Sequence, residues 1–303
     1  MNIDDVRAFV AVVDTGSVGR AALKLNLTQP AITRRVQRLE ESLGITLLDR
    51  DSKPARPTRA GEGAYARCMA VLRAADSLAR EARSGTPAGP LRIGASHGIA
   101  ESVFTPALEA IRARFPGIGL HLLTGYSSDL RKRIADHALD AAIAMSRTSR
   151  PIDDPGTELL GNERVAVVAS RDLKLPSRCK LADLGGIPWV INPDGCGFRH
   201  ELDRALAANG HALEVAAEAW GMGLQISLVA SGAGLGLVPE RFIAGSPQRD
   251  VLRVVTIDDF EALLAVWLIR APDLGAHAAA VDLLAETVRN VLSDQKMSSL
   301  APV

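Results

Sequence analysis

Residues 16–44, GSVGRAALKLNLTQPAITRRVQRLEESLG, hold two short helical patterns set around a tight turn. Ser17 is placed to cap the first helix, and Ala21, Ala22 and Leu25 give that helix a narrow apolar face. Asn26 and Leu27 supply the turn. Thr28 is placed to cap a second helix, where Pro30 is tolerated because first-turn N–H groups have no intrahelical partner. Ile32, Val36, Leu39 and Leu43 recur at helical spacing and are expected to face inward, leaving Gln29, Thr33, Arg34, Arg35 and Arg38 outside. A helix whose exposed face carries amides, hydroxyls and guanidinium groups suits the major groove of double-stranded DNA.

The charge distribution points the same way. The 303-residue chain has no net charge, yet residues 1–60 hold ten Lys and Arg against seven Asp and Glu. The remainder holds 25 against 28, so the positive excess sits with the paired helices. The length suits about two domains, and 47% hydrophobic residues is ordinary for a folded protein. Cys68, Cys179 and Cys196 are far apart, and the six histidines form no metal-ligand spacing, so neither disulfides, metal nor cofactor are expected. With no apolar run of membrane-spanning length and no signal-peptide pattern, a soluble cytoplasmic protein without a membrane partner is expected.

Around the central pattern, residues 3–14 read as a leading helix with Ile3, Val6, Phe9, Val10 and Val13 inward. Residues 46–59, broken by Pro54 and Pro57 and charged by Lys53, Arg56 and Arg59, read as a short β-wing. Gly61, Ala64, Cys68, Val71, Ala75, Leu78 and Ala82 then alternate in steps of three and four, the seam of a two-stranded coiled coil and hence of a homodimer. Residues 84–90 read as a hinge. Beyond it, strands are expected at 91–95, 119–123, 139–144, 164–169, 188–191, 235–238 and 262–270. Helices are expected at 99–115, 128–136, 198–208, 222–231 and 275–292, giving a largely parallel, doubly covered α/β sheet.

The N-terminal pattern resembles the LysR-type transcriptional regulators in Phe9, Gly16-Ser17, Ala21-Ala22, Leu25, Thr28-Gln29-Pro30-Ala31, Thr33, Leu39-Glu40, Leu43-Gly44, Leu47, Arg50, Thr58 and Gly61. The resemblance continues through Leu91-Arg92-Ile93-Gly94, Phe115-Pro116, Leu139-Asp140 and residues 231–239, and so covers nearly the whole chain. Leu48 stands where Phe is usual, His137 where Gly is usual, and Pro57 makes the wing atypical. The resemblance implies an α/β multidomain chain. A winged helix-turn-helix would occupy 1–60, a dimerising linker helix and hinge 61–90, and a two-lobed effector domain like the periplasmic binding proteins 91–303. Lobe one would comprise 91–161 and 267–303, and lobe two 162–266. It further implies a homotetramer, a dimer of dimers, with a small-molecule inducer in the cleft.

On the DNA side the resemblance assigns base-facing roles to Gln29, Thr33 and Arg34. Gln pairs bidentately with adenine and Arg with guanine, while Thr28, Pro30 and Ala31 complete the tip of the helix. Arg35, Arg38, Lys53, Arg56 and Arg59 are assigned to phosphates or the minor groove. On the ligand side, Ser96 and His97 follow a strand and open a helix, a natural site for a small anion or carboxylate. Tyr126 and Ser127 open the next equivalent loop, and Met145, Ser146, Asn192 and Trp220 fall at loops expected to face the cleft. The bland alternative for each is a cap or turn residue.

Two other function classes compete. Residues 94–98 satisfy G-x-S-x-G, the nucleophile elbow of a serine hydrolase, but the motif ends the first α/β strand and lacks a preceding oxyanion loop. A ligand-binding module without a transcriptional role is the other. The glycines of residues 232–236 lack a P-loop Lys and precede a strand, so they read as a tight turn. Cys196, without a nearby cysteine, reads as an inert thiol rather than a redox sensor. The expectation is a ligand-responsive DNA-binding regulator, not an enzyme.

Overall fold

The structure, a computed structural model, describes residues 1–49, 52, 54–84, 87–147, 152–194 and 196–298. Its first unit is three helices and a wing: α1 (Ile3–Thr15), α2 (Val18–Lys24), α3 (Gln29–Leu43), β1 (Leu48–Asp49) and β2 (Arg56–Pro57). Ser17 and Thr28 are the N-caps of α2 and α3, accepting from the N–H groups of Arg20 and Ala31 at 3.4 Å each. Asn26 turns the chain between them in the left-handed conformation, φ 54°. Phe9, Ile32, Leu39 and Leu47 are fully buried in one core. Each such side chain contributes about 1.5–3 kcal/mol by leaving water. Leu43 does not join them: it is 41% exposed on the last turn of α3. The wing pairs antiparallel, Leu48 with Pro57 and Asp49 with Arg56, and Pro57 is accommodated because a two-strand ribbon leaves open edges. Glu40 ties the wing to α3 by accepting from the N–H groups of Leu47 and Leu48.

The long helix α4 (Arg59–Ser84) corrects the coiled-coil expectation in part. Its first half packs on its own winged unit: Cys68 and Leu72 are buried in that core, with Ala64, Tyr65 and Met69 against it. Gly61 lies so close to the wing that a β-carbon there would fall 2.0 Å from the Leu47 carbonyl oxygen. The seam residues Val71 and Leu78 are instead exposed, by 38% and 69%. Periodicity showed a stripe, and α1 and the wing provide an intramolecular partner for its first half. The Ala82 side chain, Gly85 and Thr86 lie outside the described residues. Gly89 and Pro90 belong to a strand and not to a hinge.

The second unit runs β3 (Gly89–Ser96), α5 (His97–Arg114), β4 (Ile118–Gly125), α6 (Ser127–Ala135), β5 (Ala141–Arg147), β6 (Thr157–Ser170), β7 (Arg178–Cys179) and β8 (Trp189–Ile191). It continues through α7 (Gly197–Ala208), β9 (Val215–Glu218), α8 (Met222–Ala230), β10 (Leu235–Pro239), α9 (Glu240–Ala244), β11 (Leu252–Ile257), β12 (Ala262–Arg270) and α10 (Ala278–Ser298). The main sheet order is β4-β3-β5-β12-β6-β10-β8-β9, with β11 pairing β6 and β7.

The sheet is mixed, which corrects the largely parallel expectation. Strands β3, β4 and β5 are parallel, as are β8, β9 and β10, but β6 and β12 pair antiparallel with each other and with these groups. Both long strands run through two cores. Leu160 and Val266 belong to one with α5 and α10; Val165 and Leu264 belong to another with α7. Helix α6 covers the opposite face of the first strand group, and α8 that of the second. Strands β7, β9 and β11 and the short helix α9 were not anticipated. His137 explains its departure from the family pattern: it takes φ 54°, a conformation that glycine adopts at less cost. The glycine-rich segment is the turn from α8 into β10, where a β-carbon on Gly234 (φ 154°) would meet the Pro188 carbonyl oxygen at 2.2 Å.

Tyr65 joins α4 to α1 by donating to Asp14 at 2.5 Å. Burial and that bond push its hydroxyl up to about 12. The folded value lies above the unfolded one near 10, so the contribution is complete below pH 10 and is lost as pH rises towards 12. Thermal melts should therefore show wild type losing more stability between pH 10 and 12 than Tyr65→Phe; equal losses would remove the linkage.

Candidate functional site

The side expected to face DNA is built by α3. Its buried stripe of Ile32, Val36 and Leu39 turns Thr28, Gln29, Pro30, Thr33 and Arg34 to solvent, with Ala31 half-buried behind them. The Gln29 amide lies over Gly19, where a β-carbon would come within 3.1 Å of it. Between α3 and the wing runs a groove lined by Gln29, Thr33, Gln37, Asp49, Ser52 and Pro54. Arg56 lies exposed on β2, and Lys53 lies outside the described residues. Arg35 and Arg38 stand apart from this set. Arg35 pairs with Asp4 at 3.3 Å, and Arg38 grips the buried Asp5 at 2.6 Å. That hydrogen bond raises the Arg38 pKa further above its ordinary value. Both arginines are thus already held to the start of α1, which their spacing within α3 did not disclose.

The second site is a cavity of about 220 Å³ between the two halves of the sheet. All eight residues singled out on the ligand side line it: Ser96, His97, Tyr126, Ser127, Met145, Ser146, Asn192 and Trp220. Gly98, Arg147, Cys196, Phe198 and Leu264 also line it and were not singled out as ligand contacts. Three helices begin at its wall, with Ser96, Tyr126 and Cys196 as the N-caps of α5, α6 and α7. Ser96 and Tyr126 do not bond their own helices through their side chains, so first-turn N–H groups remain available there, while the Cys196 sulfur lies against the N–H groups of Phe198 and Arg199.

Ser127 organises one wall. Its hydroxyl contacts the Ser96 hydroxyl at 2.9 Å, donates to the Met145 carbonyl at 2.8 Å and accepts from the Met145 N–H at 3.0 Å. Ser146 accepts from the Trp267 indole at 3.0 Å. Asn192 is buried and donates to the Ala219 carbonyl at 3.0 Å. His97, Tyr126 and Trp220 pack against one another with ring centroids 5.4–5.9 Å apart, so Trp220 from the second half meets two rings of the first. The Tyr126 hydroxyl is buried without a hydrogen-bond partner among the described residues, and burial raises its pKa. Burial also raises the Cys196 thiol, leaving little reactive thiolate at neutral pH.

Arg241 on α9 braces the cavity from behind. It donates to the Gly98 carbonyl at 2.6 Å and the Ser102 hydroxyl at 2.8 Å, and pairs with the fully buried Glu163 of β6. Burial lowers its pKa to about 10, so it stays charged at neutral pH. Among the described residues no group of three or more His, Cys, Asp or Glu is arranged to hold a metal ion, and no helix is long and apolar enough to cross a membrane.

A winged helix-turn-helix joined through one long helix to a two-lobed domain with a cavity between its halves is the architecture of a DNA-binding regulator with a ligand-binding domain. This chain belongs to the LysR family of bacterial transcriptional regulators. Residues 3–62 match the family described as bacterial regulatory helix-turn-helix protein, lysR family, and residues 84–293 match the LysR substrate binding domain. The nitrogen assimilation regulatory protein Nac of Escherichia coli K12 is 27% identical over 310 residues, covering 99% of each chain. The crystal structure of ArgP from Mycobacterium tuberculosis shares the fold with a TM-score of 0.72, at 20% identity over 95% of this chain and 96% of its own. Full-length CbnR in complex with its target DNA shares it with a TM-score of 0.62, at 22% identity over 96% and 100%. The relatives are regulators and not enzymes. The G-x-S-x-G match is thus the end of β3, where the Ser96 hydroxyl meets another hydroxyl.

Arg241→Met removes the buried pair with Glu163 and the bonds to Gly98 and Ser102, and should cost about 3–5 kcal/mol, as broken buried pairs do. Urea denaturation of the full chain measures it; a loss below 1 kcal/mol would show that the brace is not needed.

Proposed function

We propose that the chain regulates transcription by binding double-stranded DNA as a homo-oligomer and sensing a small anion, most simply a carboxylate, between its two lobes. The observation that carries the ligand class is the convergence of three helix N-termini on one small cavity. First-turn N–H groups and the helix dipoles favour negative charge there. The Ser96 hydroxyl can turn its proton from Ser127 to a ligand, and the buried Tyr126 hydroxyl, without a partner among the described residues, offers a further donor. Met145, Phe198, Leu264 and Trp220 supply apolar wall for a short carbon skeleton. The cavity is smaller than pockets for drug-sized ligands, which favours a small metabolite.

In this reading Gln29, Thr33 and Arg34 read base edges, Thr28, Pro30 and Ala31 fit the groove floor, and Arg56 holds phosphate. The ion pairs of Arg35 and Arg38 argue that they orient α3 on α1 before they contact DNA. The exposed Val71 and Leu78 of α4 support pairing of two chains through the outer half of that helix, and a tetramer of two such pairs fits the family pattern. Residues 1–60, 61–90 and 91–303 then serve as reader, arm and sensor. Ligand binding shifts the population between subunit arrangements, and with it the DNA bend.

Two substitutions test the halves separately. Arg34→Ala should weaken binding to the cognate site by about 1–3 kcal/mol more than binding to random duplex, measured at matched salt. Equal loss on both would sink the base-reading role. Ser96→Ala should abolish induction while leaving DNA affinity intact, and unchanged induction would remove Ser96 from the sensor.

A further inference from the structure

Arg147 ends β5 and is the one side chain of permanent charge among the described residues lining the cavity. Its guanidinium crosses to the other half of the sheet and donates to Glu201 on α7 at 2.5 Å. Both partners are mostly buried, 24% and 21% exposed. The second oxygen of Glu201 accepts from Arg204, one turn along α7, at 3.2 Å. Glu201 therefore holds two cations at once. If Arg147 leaves, Glu201 still has Arg204, and the usual obstacle to breaking a buried pair, a stranded carboxylate, is relieved.

A guanidinium that lines a cavity and can change partners at low cost is suited to a ligand anion, because its planar fork matches a carboxylate in two parallel hydrogen bonds. The same half of the sheet offers the Ser96 hydroxyl, whose proton can turn from Ser127 to a ligand, and the starts of α5 and α6. We propose that Arg147 is the specificity-determining residue that makes this cleft select small dicarboxylates: one carboxylate lies against Ser96 and the first-turn N–H groups of α5 and α6, and the other takes Arg147 over from Glu201, which falls back on Arg204. The proposal rests on the carboxylate reading of the cavity. The direct bridge between the two halves becomes a bridge through the ligand. A monocarboxylate leaves the Arg147–Glu201 pair in place and makes no such exchange.

The test titrates the full-length protein calorimetrically with matched acids: butanoate and succinate, pentanoate and glutarate, hexanoate and adipate. In wild type at least one diacid should bind about tenfold or more tightly than its monoacid. Arg147→Gln should bring that pair to parity by weakening the diacid alone, and Arg147→Lys should restore part of the preference, showing that the fold of the cleft is intact. Glu201→Gln, which frees Arg147, should strengthen the diacid. Equal affinity within every pair in wild type overturns the proposal, as does a diacid preference that survives in Arg147→Gln. Monoacid binding without diacid preference leaves the carboxylate reading standing and sinks this one; binding of neither member of any pair sinks both.

Discussion

The antiparallel pairing of β6 with β12 is the constraint on which the second unit depends. Each strand belongs to both cores, so the chain passes from one half of the sheet to the other and back within a single continuous ladder. On either side of that pair the strands are parallel. Within each group the carboxyl ends point the same way and helices start where strands stop, and the three antiparallel steps from β5 through β12 and β6 to β10 turn the two groups towards each other. The result is that β3, β4, β5 and β8 deliver Ser96, Gly125, Arg147 and Asn192 to one shared opening, together with the starts of α5, α6 and α7. The site is thus a product of topology first and of particular side chains second. A bulge in the register between Val266 and Trp267 falls close to where one core gives way to the other.

What could be read from the sequence follows from the range of the forces involved. Caps, turns and buried stripes are local, and Ser17, Thr28, Ile32 and Leu39 behave as their neighbours dictate. Ser96, Tyr126 and their companions were legible for a related reason: a polar residue between an apolar strand and an amphipathic helix must sit at a strand end. Arg35 with Asp4, Arg147 with Glu201, and Arg241 with Glu163 are separated by tens of residues, and no spacing rule links them. The same limit applied to α4, whose stripe was plain while its partner was not.

Strand assignments failed for a different cause. The first half of β6 carries Glu158, Asn162 and Glu163, so it lacks the apolar run that marked its second half. Strand β9 lies at the sheet edge with little burial and so leaves little hydrophobic signal. Strand β11 did leave one, the β-branched run at 254–257, and its mixed burial reflects pairing on the outer side of β6.

The seating of α4 in the winged unit has a mechanical meaning. Because Cys68 and Leu72 share a core with Phe9 and Leu39, the helix and the reading head have no soft joint between them. The 26 residues of α4 make a rod of about 39 Å. Tilting a rod of that length by about 5° carries its far end about 3.4 Å, the rise of one base step along a strand. A sensor at one end therefore does not have to unfold or release anything to change what the other end can grip. It has only to lean the lever by the angle of a single rung.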